Sequence, residues 1–355
     1  MKVSIIVVAL LLALPLSAQA EEFAPYAGEA AAISDVNLPL RTAEYKDNPF
    51  YTEEYSFAFH PVKKPPFTIR IGVSNMGHGQ GAAFVHGSVI KGKKRKRIRY
   101  RIKESAPAGT WKQGTEPFFI EVGKNRLGGS VEGFHLHLET DEMDADFEVR
   151  PLVPVWRPGT GRVDLARGEG FEVIVWARAE VFGVIKTKGS KKNVVAPVKG
   201  YAVVTRILNT ASPGLQPRRW VNFKSVKKDH TLLVQAFLPP AVKGDDLHGW
   251  SLVATDEEVL VATHALEFKL GDFREDHGTK IPWIFTWAGE GVRGAVQALK
   301  LRSVVDELEK LPALERAVVS RFIQPMTWFL RGKYEVEAKG KKLSGPGSLV
   351  VNKIK

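Results

Sequence analysis

His135 and His137 stand at i and i+2 in Phe134-His135-Leu136-His137-Leu138, a spacing that on a strand turns both imidazoles to one face, as a metal site on a barrel requires. Two ligands do not make a site. A third would have to come from a distant residue such as His78 or His86, and alternation with apolar residues is equally what a strand with one wet face produces. Asp141, Glu142, Asp144 and Asp146 lack the glycine and terminal glutamate of a calcium loop and read as a solvated turn. Gly77-His78-Gly79-Gln80-Gly81 superficially resembles a phosphate cradle, but strands flank it and no Gly-Lys-Ser/Thr closes it, so a hairpin turn is expected. There is no cysteine, no G-x-S-x-G elbow, no paired-histidine zinc helix and no dinucleotide fingerprint. Disulfides and thiolate chemistry are excluded, and no metal and no cofactor are expected.

Aromatic residues carry more information. Eight tryptophans, among them Trp156, Trp176, Trp220, Trp283 and Trp287, sit in or beside apparent strands, where wide apolar faces can pack a core or line a cavity for a hydrophobic ligand. A carboxylic acid buried in such a cavity could protonate an alkene or epoxide while aromatic faces stabilise the cation. Glu172 and Glu180 share the expected strand face of Trp176, and Glu132 that of Phe134.

The elements that must hold these residues are mostly strands. Tyr55-Ser56-Phe57-Ala58-Phe59 and Phe67 to Val73 alternate around Pro61, Pro65 and Pro66, as an antiparallel pair would. Further candidates run through Ala83 to Ile90, Lys96 to Lys103, Phe118 to Val122, Val131 to Glu139, Ala145 to Val149 and Phe171 to Phe182. The polar stretch Lys186 to Asn193 suits a domain joint or a long hairpin tip, and a second strand array follows from Tyr201 to Trp287. One segment reads as helical: Ser303 and Asp306 resemble a capping box, and Val304, Leu308, Leu311, Leu314, Val318 and Phe322 recur at three- and four-residue steps, interrupted by Pro312. Many strands with one late helix imply sandwiches or barrels.

The 355 residues carry a formal charge of +12, which first suggests nucleic acid. The distribution argues otherwise. Nine basic residues and no acid lie between Lys91 and Lys103, and from Arg97 onward Arg97, Arg99, Arg101 and Lys103 alternate with Ile98, Tyr100 and Ile102. Such a strand buries one side and presents a cationic stripe on the other. Lys2, the apolar run Ile5 to Leu16 and Ala18-Gln19-Ala20 have the pattern of a cleaved export signal, so residues 1–20 are expected to be removed and the protein to be soluble in the periplasm or, as second choice, secreted. There the stripe would meet an anionic membrane or headgroup rather than nucleic acid, or simply keep a sheet edge from associating.

Tyr51-Thr-Glu-Glu-Tyr-Ser-Phe-Ala-Phe followed by Phe67-Thr-Ile-Arg-Ile-Gly-Val-Ser-Asn resembles the first domain of the fungal survival-factor lipocalin-like proteins. In the second half, Lys199-Gly-Tyr-Ala-Val-Val-Thr, then Arg219-Trp220-Val-Asn222-Phe223-Lys-Ser and Leu232-Leu-Val-Gln-Ala-Phe-Leu-Pro-Pro240 are similar to that family's glycine-rich, Trp-Asn-Phe-type and following strands, with Val221 standing as an insertion. That family is similar in turn to the bacterial carotenoid hydratases and tocopherol-cyclase-like proteins. The resemblance spans most of residues 50 to 340.

What it implies is an all-β chain of two lipocalin-like antiparallel β-barrels in tandem, with the helix at about 303–323 near the C-terminus. A lead at 21–50, a first β domain at 51–190 and a second at 191–355 follow from this. The function implied is periplasmic binding or transfer of a hydrophobic lipid, sphingolipid- or isoprenoid-like, inside a barrel cavity. Trp176, Tyr201, Trp220 and Phe223 are expected to line it and Asn222 to make a polar contact, with Lys93, Lys94, Arg95, Lys96, Arg97, Arg99, Arg101 and Lys103 against headgroups or membrane. The alternative is a hydratase- or cyclase-type enzyme acting on an isoprenoid or lipid.

Overall fold

The structure is a computed structural model, and it describes residues 24–34, 36–62, 64–76, 80–91, 98–166, 168–188, 195–240, 246–310, 316 and 325–353. Period-two alternation becomes strand almost throughout. The first sheet holds β1 (Ala24–Pro25), β2 (Ala31–Ile33), β3 (Thr52–Pro61), β4 (Phe67–Ser74), β5 (Ala82–Lys91), β6 (Ile98–Ala106), β7 (Lys112–Thr115), β8 (Phe118–Val122), β9 (Asn125–Ser130), β10 (Gly133–Glu139), β11 (Met143–Pro151), β12 (Val155–Arg157), β13 (Arg162–Ala166), β14 (Glu169–Thr187) and β15 (Val195–Asn209). The second holds β16 (Arg219–Val226), β17 (Thr231–Leu238), β18 (His248–Ala254), β19 (Val259–Thr263), β20 (Leu266–Asp276), β21 (Thr279–Gly289), β22 (Val292–Asp306), β23 (Met326–Ala338) and β24 (Lys341–Lys353). All pairs are antiparallel, in the orders β6-β5-β4-β3-β15-β14-β11-β10-β9-β8-β7 and β19-β18-β17-β16-β24-β23-β22-β21-β20. Two curled sheets in tandem result, the architecture of double lipocalin-like barrels.

β14 and β15 pair from Lys186↔Val195 onward as a long antiparallel pair, and residues 189–194, which hold most of the polar stretch, lie outside the described residues. The first sheet consequently extends to Asn209, and the change to the second falls between Asn209 and Arg219. The start of the expected helix is strand instead: Ser303 and Val304 pair with Phe329 and Trp328, continuing β22 to Asp306↔Met326. Among the described residues a 3-10 turn at Glu307–Lys310 follows, and residues 311–315 and 317–324 lie outside them. Ladder hydrogen bonds along β23 outweigh the helical spacing there.

Each barrel is filled by its own side chains. In the first, Tyr55, Phe57, Phe59, Phe67, Phe134, Phe147 and Trp176 meet at ring-centroid distances such as 4.8 Å for Phe59–Phe67 and 5.1 Å for Phe134–Trp176. The lead packs onto it: Leu38 and Leu40 join that core, and the Tyr55 hydroxyl donates to the Leu38 carbonyl at 2.6 Å. In the second, Phe223, Phe285, Trp287, Trp328 and Tyr334 are packed together with aliphatic residues. A third apolar cluster lies between the outer faces of the two sheets, where Phe171, Val173, Val175, Ala177 and Val203 meet Leu233, Phe237, Trp250 and Leu252. This third layer positions the candidate site.

Candidate functional site

Strand parity decides which residues reach the space between the sheets. On β16, Val221, Phe223 and Ser225 are buried toward the second barrel, so Trp220, Asn222 and Lys224 share the opposite face. β15 turns Val203, Thr205, Ile207 and Asn209 toward them, and β14 contributes Phe171 and Val173. Together with Gln216, Leu233, Gln235, Trp250 and Asn352, these residues line a half-open cavity of about 370 Å³.

Its walls are aromatic. The Trp220 ring sits 4.9 Å from Phe171 and 5.2 Å from Phe237, and Trp250 sits 5.4 Å from Trp156. Its polar groups are amides, the Thr205 hydroxyl, the indole N–H groups and one amine. Trp250 Nε1 donates to Gln235 Oε1 at 2.9 Å, fixing that amide, whereas Asn352 Oδ1 is buried with no hydrogen-bond partner. Lys224 is the single ionisable residue of the lining, and no carboxylate or hydrogen-bond acceptor pairs with its ammonium among the described residues. Burial alone lowers that ammonium to about 8. Burial and then the Lys224 charge push His60, on neighbouring β3, down to about 3. An amine that titrates near neutrality in an apolar pocket can donate or accept a proton and can polarise an oxygen.

The first-sheet wall is tied to the second by a clasp. A bulge in β14 between Trp176 and Ala179 places both Ala177 and Arg178 opposite Val203, so Arg178 points across the interface. Fully buried, it donates to the Asp256 carboxylate, to Lys227 O at 3.0 Å, to Lys228 O at 2.6 Å and to Thr231 Oγ1 at 3.1 Å.

Of the expected ligand contacts, Trp220, Asn222 and Phe223 come together at this cavity, with Phe223 turned mostly into the second barrel at 5.5 Å from Tyr334. Trp176 does not join them: it lies in the first-barrel core, donating from Nε1 to Val131 O at 3.3 Å. Tyr201 belongs to the clasp, stacked under Arg178 and donating to Asp256 Oδ2 at 3.3 Å. The cavity thus forms between barrels rather than inside one, because each interior is occupied by its own aromatic residues.

The glutamates are elsewhere too. Glu172 accepts from Arg41 at 2.7 Å and Glu132 is exposed at the β9–β10 turn. Glu180 does not share the face of Trp176, since the bulge shifts the parity of everything after it. Lys224, Gln235, Trp250 and Asn352 were not legible as a group, as they come from four strands. A signal for Lys224 existed in the period-two spacing of Trp220, Asn222 and Lys224, which makes Val221 an ordinary alternation rather than an insertion.

His135 and His137 do share a face, and the acidic run joins them. His137 lies directly opposite Asp146, with Nδ1 and Oδ1 2.8 Å apart, and ligand atoms of His137, Asp144 and Asp146 all fall within 4.8 Å of one another. Among the described residues these three are the group best placed to hold a cation. His86 sits on β5 across from Lys103, away from that face, and His78 lies outside the described residues. In the cationic stripe, Arg99, Arg101 and Lys103 are exposed on β6, the edge strand, while Tyr100 and Ile102 are buried. Lys93, Lys94, Arg95, Lys96 and Arg97 lie outside the described residues, as does the export signal at 1–20.

Comparison with solved structures places this arrangement. Kievitone hydratase from Nectria haematococca superposes with a TM-score of 0.53 at 13% identity, over 94% of this chain and 98% of its own. A protein of Nitrosomonas europaea described as an AttH gives 0.53 at 11% identity, over 90% and 97%. CghA, solved with Sch210972, gives 0.57 at 9% identity, over 92% and 94%. The chain shares their fold. No family model matches it, and no curated protein matches it in sequence. The lipocalin-like double barrel is therefore shown by structure, and at these identities the likeness extends to the fold alone.

Proposed function

We propose that this protein is a hydratase- or cyclase-type enzyme that takes an apolar small molecule between the outer faces of its two barrels. The observation that carries the reading is the aromatic inter-sheet cavity with Lys224 as its one ionisable lining residue. Trp220, Phe171 and Trp250 hold the hydrocarbon part. The Lys224 ammonium donates to an oxygen of the substrate, drawing electron density from the reacting carbons, and returns to that form by taking a proton from water or product. Asn222, Gln235 and Asn352 orient the polar end. Kievitone hydratase and the ligand-bound CghA supply precedent on this fold for small-molecule chemistry.

Lipid carriage is the second reading. At about 370 Å³ the cavity is near the lower end of the roughly 300–1,000 Å³ typical of small-ligand sites, which favours a compact molecule over a lipid with two long tails. Export to the periplasm remains part of this proposal and rests on the N-terminal pattern.

The test is untargeted mass spectrometry of a small-molecule extract incubated with purified protein. The enzyme reading expects a species that gains or loses the mass of water, or an isomer of changed retention, which Lys224→Met does not produce. Stoichiometric recovery of an unchanged lipid, with no new species, would favour the carrier.

A further inference from the structure

We infer that the molecule bound in the inter-sheet cavity is an organic acid, an apolar ring or chain system bearing one ionised carboxylate, enolate or phenolate that pairs with Lys224. The inference rests on the proposed site and names its substrate class.

Both fully buried cations among the described residues have an anion, Glu53 for Arg206 and Asp256 for Arg178, and half-buried Lys224 differs from them. Lys224 has none, although it stands in an apolar, aromatic-walled space where an isolated ammonium is costly. The residues opposite it in register, Leu233 on β17 and Ser348 on β24, carry no charge, and the other titratable group that feels it is His60 on β3, held neutral by burial. No carboxylate among the described residues pairs with it. A ligand anion would, and would convert an unfavourable buried charge into a desolvated ion pair. The lining also holds an acceptor in want of a donor, Asn352 Oδ1, so a hydroxyl or N–H elsewhere on the same molecule is the complementary feature. The remaining side-chain donors of the lining, such as the Asn222 amide, can share the anion without competing for it.

Two fluorescent probes with the same aromatic frame separate the possibilities: anionic 8-anilinonaphthalene-1-sulfonate and neutral N-phenyl-1-naphthylamine. The full chain should bind both, with Lys224→Met weakening the sulfonate by about tenfold or more and leaving the neutral probe within about twofold. Lys224→Arg should restore the sulfonate, and Lys224→Gln repeats the test if the methionine variant does not fold. Trp220→Ala should weaken both probes. If Trp220→Ala weakens both but the Lys224 variants treat the two probes alike, the cavity stands and the acid specificity is overturned. If Trp220→Ala affects neither probe, the site itself is overturned, and the inference with it.

Discussion

The Arg178 guanidinium lies 3.9 Å from the centroid of the Tyr201 ring, and both residues reach Asp256 in the turn between β18 and β19 of the second sheet. The bulge that turns Arg178 out of β14 therefore does two things. It shifts strand parity after Trp176, and it anchors one wall of the cavity to the other. Arg178→Ala strips four hydrogen bonds from a buried site and should cost about 3–5 kcal/mol in urea unfolding. Asp256→Asn, at a half-exposed partner, should cost about 1 kcal/mol. Unfolding of Arg178→Ala at the wild-type midpoint would contradict the clasp.

Trp176 and Trp220 should separate stability from binding. Trp176→Ala opens a void among Tyr55, Phe134 and the rest of the first core and should cost about 3–5 kcal/mol. Trp220→Ala removes a cavity wall and should lower probe affinity with the smaller stability loss of the two. Equal effects of both on unfolding and binding would mean that the two tryptophans do not lie in separate environments.

Those two residues also show how far the sequence could be read. Alternating strands, the strand-rich architecture and the buried side of β6 follow from local chemistry, because side-chain direction in a strand is fixed by parity. The bulge at 177–178 is not announced by any residue type, so alternation alone puts Glu180 on the wrong face. The site itself depends on which outer faces meet. Nothing local in β16, β18 and β24 says that Lys224, Trp250 and Asn352 converge, and an amphipathic strand carrying Lys224 looks like one facing water until a second sheet covers it.

Two titrations should mark the interface. Lys224 has its folded value near 8 against an ordinary 10.5, so the unfolded chain holds the proton more tightly between them and unliganded stability should rise as pH goes from about 8 to 10.5. His60, near 3 against 6.5, should make stability fall as pH drops from about 6.5 toward 3. Lys224→Met should flatten the alkaline limb and His60→Leu the acid limb in thermal melts across pH. Unchanged limbs in both variants would place these groups in water.

Glu53 is fully buried and accepts from Arg206 Nε at 2.8 Å, from Tyr51 Oη at 2.7 Å and from the Arg41 amide at 2.7 Å. Arg206 in turn holds the carbonyls of Asn37 and Pro39, so one ion pair pins the lead over the first barrel. Glu53→Gln should cost about 3–5 kcal/mol and expose the segment around Asn37 to limited proteolysis before the rest of the chain. Simultaneous cleavage of lead and barrel would show that the pair does not serve the lead specifically.

The most direct measurement is a crystal structure of the protein with 8-anilinonaphthalene-1-sulfonate. The account predicts the ring system between Trp220 and Trp250 with the sulfonate at Lys224. Probe density inside a barrel, beside Trp176 or Trp287, with the space between the sheets unfilled, would contradict it.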